Sequence, residues 1–201
     1  IAARYMYEDR WGGDLRWQKK FRGGDSIYGE SIYTNRLEII GNYQLPVNEK
    51  IFLSFSYNRH AQNSVYGTTP YLAGQKIAFT QLTWDKKKGI NDFLLGASLR
   101  YTDYDDNTAA TVTSGIAGSV NNPQRTWLPG VFIQDEVSIT GRHKVLLGFR
   151  YDYNSYHGNI YTPRFAYKWT MNGHTVLRLN AGTGFRVVNI FTEEHASLTG
   201  A

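Results

Sequence analysis

From Lys144 to Tyr153 every second residue is apolar or aromatic. Val145, Leu147, Phe149, Tyr151 and Tyr153 share one parity, while Gly148, Arg150 and Asp152 share the other. A strand sends successive side chains to opposite faces of the pleat, whereas a helix brings residues three and four apart together, so this order dictates a two-faced strand. The design returns in Ile51, Leu53, Phe55 and Tyr57 against Ser54, Ser56 and Asn58, and in Phe93, Leu95, Ala97, Leu99 and Tyr101 against Gly96, Ser98 and Arg100. Leu37, Ile39 and Tyr43 repeat it, as do Tyr161, Phe165, Tyr167 and Trp169, and Leu177, Leu179 and Ala181. Weaker alternation runs through Ala3 to Tyr7, Gln75 to Trp84 and Val131 to Ile139. The chain reads as all-β and antiparallel, with about eight to nine strands.

The links between these runs alternate in length. Short ones at Leu45 to Lys50, Asp85 to Ile90, Thr140 to His143 and Met171 to His174 take turns with long ones at Asp9 to Glu30, His60 to Gly74 and Asp105 to Arg125. The last short link holds Asn172-Gly173, a pair suited to a type I′ hairpin turn. The long links are rich in Gly, Asn, Asp, Thr and Ser, which break strands. Short turns at one rim and long loops at the other are the order of an up-and-down outer-membrane barrel.

No apolar run approaches the ~18 residues of a membrane helix. Barrel strands face lipid with only alternate residues, so the negative mean hydropathy is no obstacle to crossing a bilayer. Aromatic residues make up 15% of the chain, and their positions carry the argument. Tyr43, Trp84 and Trp169 lie on the apolar parity just before short turns, and Tyr7, Tyr57, Tyr101 and Tyr153 lie on it where strands enter the loops. Two such rows are the aromatic girdles of a membrane wall. A soluble sandwich also alternates, but nothing in it calls for aromatic rows at both ends. In hydrocarbon an unpaired backbone group costs several kcal/mol, so the strands must either close alone as a small barrel or form part of a larger wall.

The chain lacks cysteine, which excludes a disulfide scaffold and a thiolate metal site. A net charge of +5 comes from 22 Lys and Arg interleaved with 17 Asp and Glu, so no basic stripe suggests nucleic acid. No signal sequence opens the chain, and Ile1 is not an initiator; the expectation is a piece of a longer protein.

Gln134-Asp135-Glu136, Gly148-Phe149-Arg150-Tyr151-Asp152, Pro163-Arg164-Phe165 and Gly182-Thr183-Gly184-Phe185-Arg186 follow one another on successive strands. This series resembles the barrel of TonB-dependent receptors, and the stretch from Trp127 to about Ala201 carries the resemblance. The resemblance implies a barrel of about 22 strands filled by an N-terminal plug domain, of which residues 1–201 form a partial barrel domain with neither plug nor TonB box. It further implies the outer membrane of a Gram-negative bacterium, uptake of a scarce nutrient, and an inner-membrane TonB complex as partner through the missing plug. A ferric siderophore or similar chelate is the favoured ligand, and no resident cofactor is implied. Gly182, Gly184, Phe185 and Arg186 carry the family motif.

Gln134, Glu136, Arg150, Arg164 and Arg178 fall on the polar parity of neighbouring strands and are expected to line the lumen. Inside a barrel such charges are held by cross-strand pairs, so wall stabilisation outranks direct ligand contact. Trp11, Trp17, Tyr66 and Tyr71 are assigned to long loops, where aromatics stack on ligand rings or pack loop on loop. The histidines His60, His143, His157, His174 and His195 are scattered with no i, i+4 pair, and Glu193-Glu194-His195 on an extended segment would diverge, so no metal site is expected. Gly182-Thr183-Gly184 lacks the third glycine of a nucleotide loop. A barrel hydrolase needs a serine beside His60 at a matching level, and none stands out. The rival to an importer is a passive porin or small structural barrel, which requires the strand near Ala3 to Tyr7 to pair with that near Val176 to Gly182.

Overall fold

A computed structural model describes residues 1–115 and 118–187. Its strands, in chain order, are β1 (Ala2–Gly13), β2 (Gly29–Gln44), β3 (Lys50–Tyr66), β4 (Thr69–Lys88), β5 (Asn91–Asp106), β6 (Val112–Gly115), β7 (Gly118–Asn121), β8 (Gln124–Ser138), β9 (His143–Asn154), β10 (Gly158–Thr170) and β11 (Val176–Gly182). Nine of them form one sheet in the order β1-β2-β3-β4-β5-β8-β9-β10-β11, and β6 pairs with β7 apart from it. Every pairing is antiparallel. Among the described residues β1 pairs with β2 alone and β11 with β10 alone. The sheet is an open wall and does not close on itself, as a small porin-type barrel would require.

The register keeps the two parities on opposite faces across the whole wall. Leu53, Leu82, Ala97, Val131 and Tyr151 form one cross-strand row of the apolar face. Arg150, Phe132 and Gly96 form part of a row on the other. On β5 and β9 the apolar stretches Phe93 to Tyr101 and Val145 to Tyr153 match the roughly 9–11 residues a tilted strand needs to cross a bilayer. Large apolar side chains on this face are exposed, among them Leu147, Val131, Phe149 and Leu179. That exposure is what a lipid-facing surface looks like without its lipid. All of the predicted girdle residues lie on this face. A further aromatic, Trp127, sits opposite Tyr101 with ring centroids 4.5 Å apart; its apolar parity on β8 was the available signal.

The links depart from the sequence reading in three places. The expected long loop at 60–74 is largely strand: β3 and β4 stay paired up to Tyr66 opposite Thr69, leaving a turn at Gly67-Thr68. Gly67 takes φ 58° there, a left-handed conformation that suits glycine. With 20 residues, β4 is about 65 Å long at ~3.3 Å per residue, roughly twice a bilayer core, so this hairpin stands well above the membrane. The second departure is the loop at 107–123, which carries its own β6–β7 hairpin and a 3₁₀ turn at Ala109–Thr111. The third is Asn172-Gly173, which does not make a type I′ turn, because neither residue has positive φ. The link is instead closed by Met171 N–H donating to the Thr175 carbonyl at 3.0 Å and by Asn172 Oδ1 accepting from His174 N–H at 2.9 Å.

Candidate functional site

The polar face holds the side chains that could meet a solute. The register puts Gln134, Glu136, Arg150, Arg164 and Arg178 together on it, on β8 to β11. Among the described residues these five side chains make no ion pairs with one another. Glu136 pairs with Lys144 at 2.5 Å. Arg150 takes Asp152, its neighbour two residues on, in a bidentate grip, Nε to Oδ2 at 2.7 Å and Nη2 to Oδ1 at 2.6 Å. Arg178 faces Lys168 across the strand pair, a like charge, and Arg164 lies between Gly148 and Gly182.

Arg150 is the centre of a packed cluster. Its guanidinium lies over the Phe132 ring, 5.5 Å from the centroid, and donates to Ser98 Oγ at 2.9 Å. Asp152 is fully buried, so its charge needs that bidentate partner. Gly130 makes room for the pair, since a Cβ there would stand 2.1 Å from Asp152 Oδ1. The Phe132 ring in turn lies over Gly96 on the next strand, where a Cβ would meet it at 2.2 Å. The same ring-on-glycine contact recurs at Gly41 under Phe55 and Gly29 under Trp17. Glycine within a strand loses packing surface, and a neighbouring aromatic restores it.

Higher on this face lies a buried cluster of Tyr71, Ala73 and Tyr104, with Tyr66 packed against it. Tyr66 and Tyr71 are strand residues of β3 and β4, not loop residues as expected, because the hairpin continues past the membrane. The Tyr71 and Tyr104 hydroxyls lie 3.1 Å apart, and Tyr71 is buried within the wall. Trp11 belongs to β1 rather than to a loop, and its exposed ring stacks at 5.8 Å on Trp17. Trp17 does stand in the loop 14–28 but is itself buried. Both lie toward the apolar-parity side, above the membrane band.

Below the tyrosine cluster a recess of about 90 Å³ opens on the polar face, lined by Gln75, Arg100, Tyr104, Gln124, Thr126 and Asn154 among others. Arg100 is exposed and joins no ion pair among the described residues. Asn154 is buried; its Oδ1 accepts from the backbone of Tyr156 and His157, while its Nδ2 has no partner. Sequence reasoning passed over this recess, because its residues come from strands far apart in the chain and only their shared parity marks them.

Among the described residues no three His, Cys, Asp or Glu side chains converge as metal ligands. His60 is on the polar face of β3, while His143 lies on the apolar face at the lower rim, stacked on Tyr167 and Trp169. Gly182 closes β11 opposite Arg164, and Thr183 N–H donates to the Pro163 carbonyl at 3.1 Å. Gly184, Phe185 and Arg186 follow outside any strand. The Glu193-Glu194-His195 stretch lies outside the described residues.

The fold is similar to that of three solved receptors. The siderophore receptor PirA from Pseudomonas aeruginosa aligns over 82% of this chain and 31% of its own, with a TM-score of 0.60 at 11% identity. A G324V mutant of the ferric enterobactin receptor PfeA from Pseudomonas aeruginosa aligns over 76% of this chain and 25% of its own, at 0.58 and 12%. PirA from Acinetobacter baumannii aligns over 77% and 25%, at 0.54 and 13%. The chain thus spans about a third or less of these receptors. No curated protein matches it in sequence. A family profile described as TonB dependent receptor-like, beta-barrel, matches residues 2–192. Barrels of this family stand in the outer membrane of Gram-negative bacteria, and their class is that of receptors and transporters rather than enzymes. With its two-faced wall, its open edges and that match over nearly its whole length, the chain belongs to the TonB-dependent receptor β-barrel family.

Proposed function

We propose that this chain is part of the wall of an outer-membrane importer of a scarce nutrient, a ferric siderophore or similar chelate, energised by a TonB complex acting through a plug domain. The observation that carries this reading is the polar face itself. Opposite a lipid-ready apolar surface stands a wall of Gln, Arg, Thr and Tyr side chains with an exposed, unpaired Arg100 at its recess. Such a wall suits a large, oxygen-rich, anionic solute better than a greasy one. Gln134, Glu136, Arg150, Arg164 and Arg178 line the lumen in this reading, with Glu136 and Arg150 stabilising it through their pairs. Trp11 and Trp17 then belong to the outer side of the rim, which leaves Tyr66 the better candidate among the four aromatics for contact with a ligand.

The test is growth and uptake. A strain lacking the gene should fail to take up one class of ferric chelate, and collapse of the proton gradient should stop uptake in the parent strain. Normal growth of the deletion strain on every iron, haem and cobalamin source would discard the proposed substrate class. Uptake that persists without a proton gradient would discard the energised mechanism.

A further inference from the structure

Just above the upper aromatic row the lipid side of the wall changes character. Tyr57, Ala78, Tyr101 and Trp127 form one cross-strand row; two residues further along each strand, Arg59, Lys76, Asp103 and Arg125 form the next outward-facing row. The step is about 6 to 7 Å along the strand. It carries the surface from ring to charge within one headgroup layer. Arg59, Lys76 and Arg125 are exposed, and among the described residues none of them joins an ion pair. Asp103 stands between Lys76 and Arg125 without pairing with either, and Asp105, one row higher, accepts from Asn121 of the β6–β7 hairpin at 3.2 Å. A shallow depression on the outer surface is lined by these same charges.

We propose that Arg59, Lys76 and Arg125 form an outward belt that binds the phosphate-bearing headgroups of glycolipids in the outer leaflet. Strands stand about 4.8 Å apart, so the three cations span roughly 15 Å, wide enough for a headgroup with more than one phosphate. Charge complementarity and continuity with the lipid-facing surface select this occupant. A soluble partner would meet the belt only across the bilayer edge, whereas headgroups lie at its level by construction. Other cations on this side are already engaged: Lys19 pairs with Asp9, and Arg22 donates to Ser31 and Asn63 and lies over Tyr33. They fasten the loop 14–28 to the wall, whereas the three belt cations join no such pair among the described residues. The inference rests on which face meets lipid and is independent of what the protein transports.

The test uses the full-length protein extracted from outer membranes, with its bound glycolipid counted by native mass spectrometry. Arg59→Gln, Lys76→Gln and Arg125→Gln combined should lower the retained phosphorylated glycolipid by about 10-fold or more, and Asp103→Asn should raise it. Glycolipid stripped of phosphate should not be retained by either protein, and inorganic phosphate alone should not displace the phosphorylated form. Equal glycolipid content in the assembled parent and triple variant overturns the proposal, as does equal retention of the dephosphorylated lipid. Displacement by inorganic phosphate would assign the belt to free phosphate and overturn the headgroup reading. Should the triple variant fail to assemble, Arg125→Gln alone should retain a few-fold less, and parent-level retention by that single variant overturns the proposal equally.

Discussion

Tyr104 donates its phenolic hydrogen to the Asp106 carboxylate at 2.5 Å, and both side chains are buried at the top of β5. The same carboxylate accepts from Thr108 N–H, Thr108 Oγ1 and Thr111 Oγ1 at 2.8 to 2.9 Å. One aspartate therefore anchors the start of the loop 107–123 to the wall, through Tyr104 and from there to Tyr71.

That anchor is pH-dependent. Burial raises the Asp106 pKa, but the hydrogen bonds from Tyr104, Thr108 and Thr111 outweigh it and hold the carboxyl below its ordinary value. A depressed folded-state pKa contributes stability above the unfolded value, near pH 4, and that contribution is lost as pH falls through the folded value. Pepsin cleavage of the loop 107–123 should therefore rise as the pH is lowered below about 4, while Asp106→Asn should already be cut readily at the upper end of that range. Tyr104→Phe should loosen the loop by about 1 kcal/mol. Cleavage that does not change with pH in the parent protein would refute the assignment.

Asp152 is buried with its charge held by Arg150 alone. Asp152→Ala leaves a half-buried guanidinium without its partner and should destabilise the assembled barrel by about 3 kcal/mol. Replacing both residues by apolar ones of similar volume should cost less. Thermal unfolding of the refolded full-length protein decides between these outcomes.

Gly96 lies under the Phe132 ring, and a Cβ there would also meet the Leu82 carbonyl at 2.9 Å. Gly96→Leu should lower stability by about 1 to 3 kcal/mol, as overpacking does, and displace Phe132 from beneath Arg150. Gly148→Ser should be tolerated, since a Cβ there meets only ordinary contacts beginning at 3.6 Å. Equal assembly of the two variants would contradict the packing described.

On the apolar face a new arginine near the membrane midplane costs about 2 to 4 kcal/mol. Leu147 stands opposite Asp135, whose Oδ1 has no partner, so Leu147→Arg finds a carboxylate and its cost is partly offset. Val131 stands between Ala97 and Tyr151 and offers no such partner. Assembly yield in outer-membrane fractions should fall further for Val131→Arg than for Leu147→Arg, and Asp135→Asn should erase the difference.

The alternation of Val145 to Tyr153 determined, without any structure, that β9 is a strand, which face meets lipid and where the aromatic rows lie. Polarity against parity is a local property, carried by each residue and its neighbours along the chain. The sequence also marked the links at both rims, where glycine, asparagine, aspartate, threonine and serine cluster between the alternating runs, although single glycines such as Gly96 and Gly148 stay paired within strands. It could not show that β3 and β4 remain paired from Arg59 to Leu72, where lipid no longer imposes the alternation while the pairing continues to Tyr66 opposite Thr69. Nor could it match Arg150 to Asp152 rather than Glu136, or bring Gln75, Arg100 and Asn154 to one recess. Those outcomes depend on register and on which strands become neighbours, and these are fixed only when the backbone groups of residues far apart in the chain find each other across the sheet.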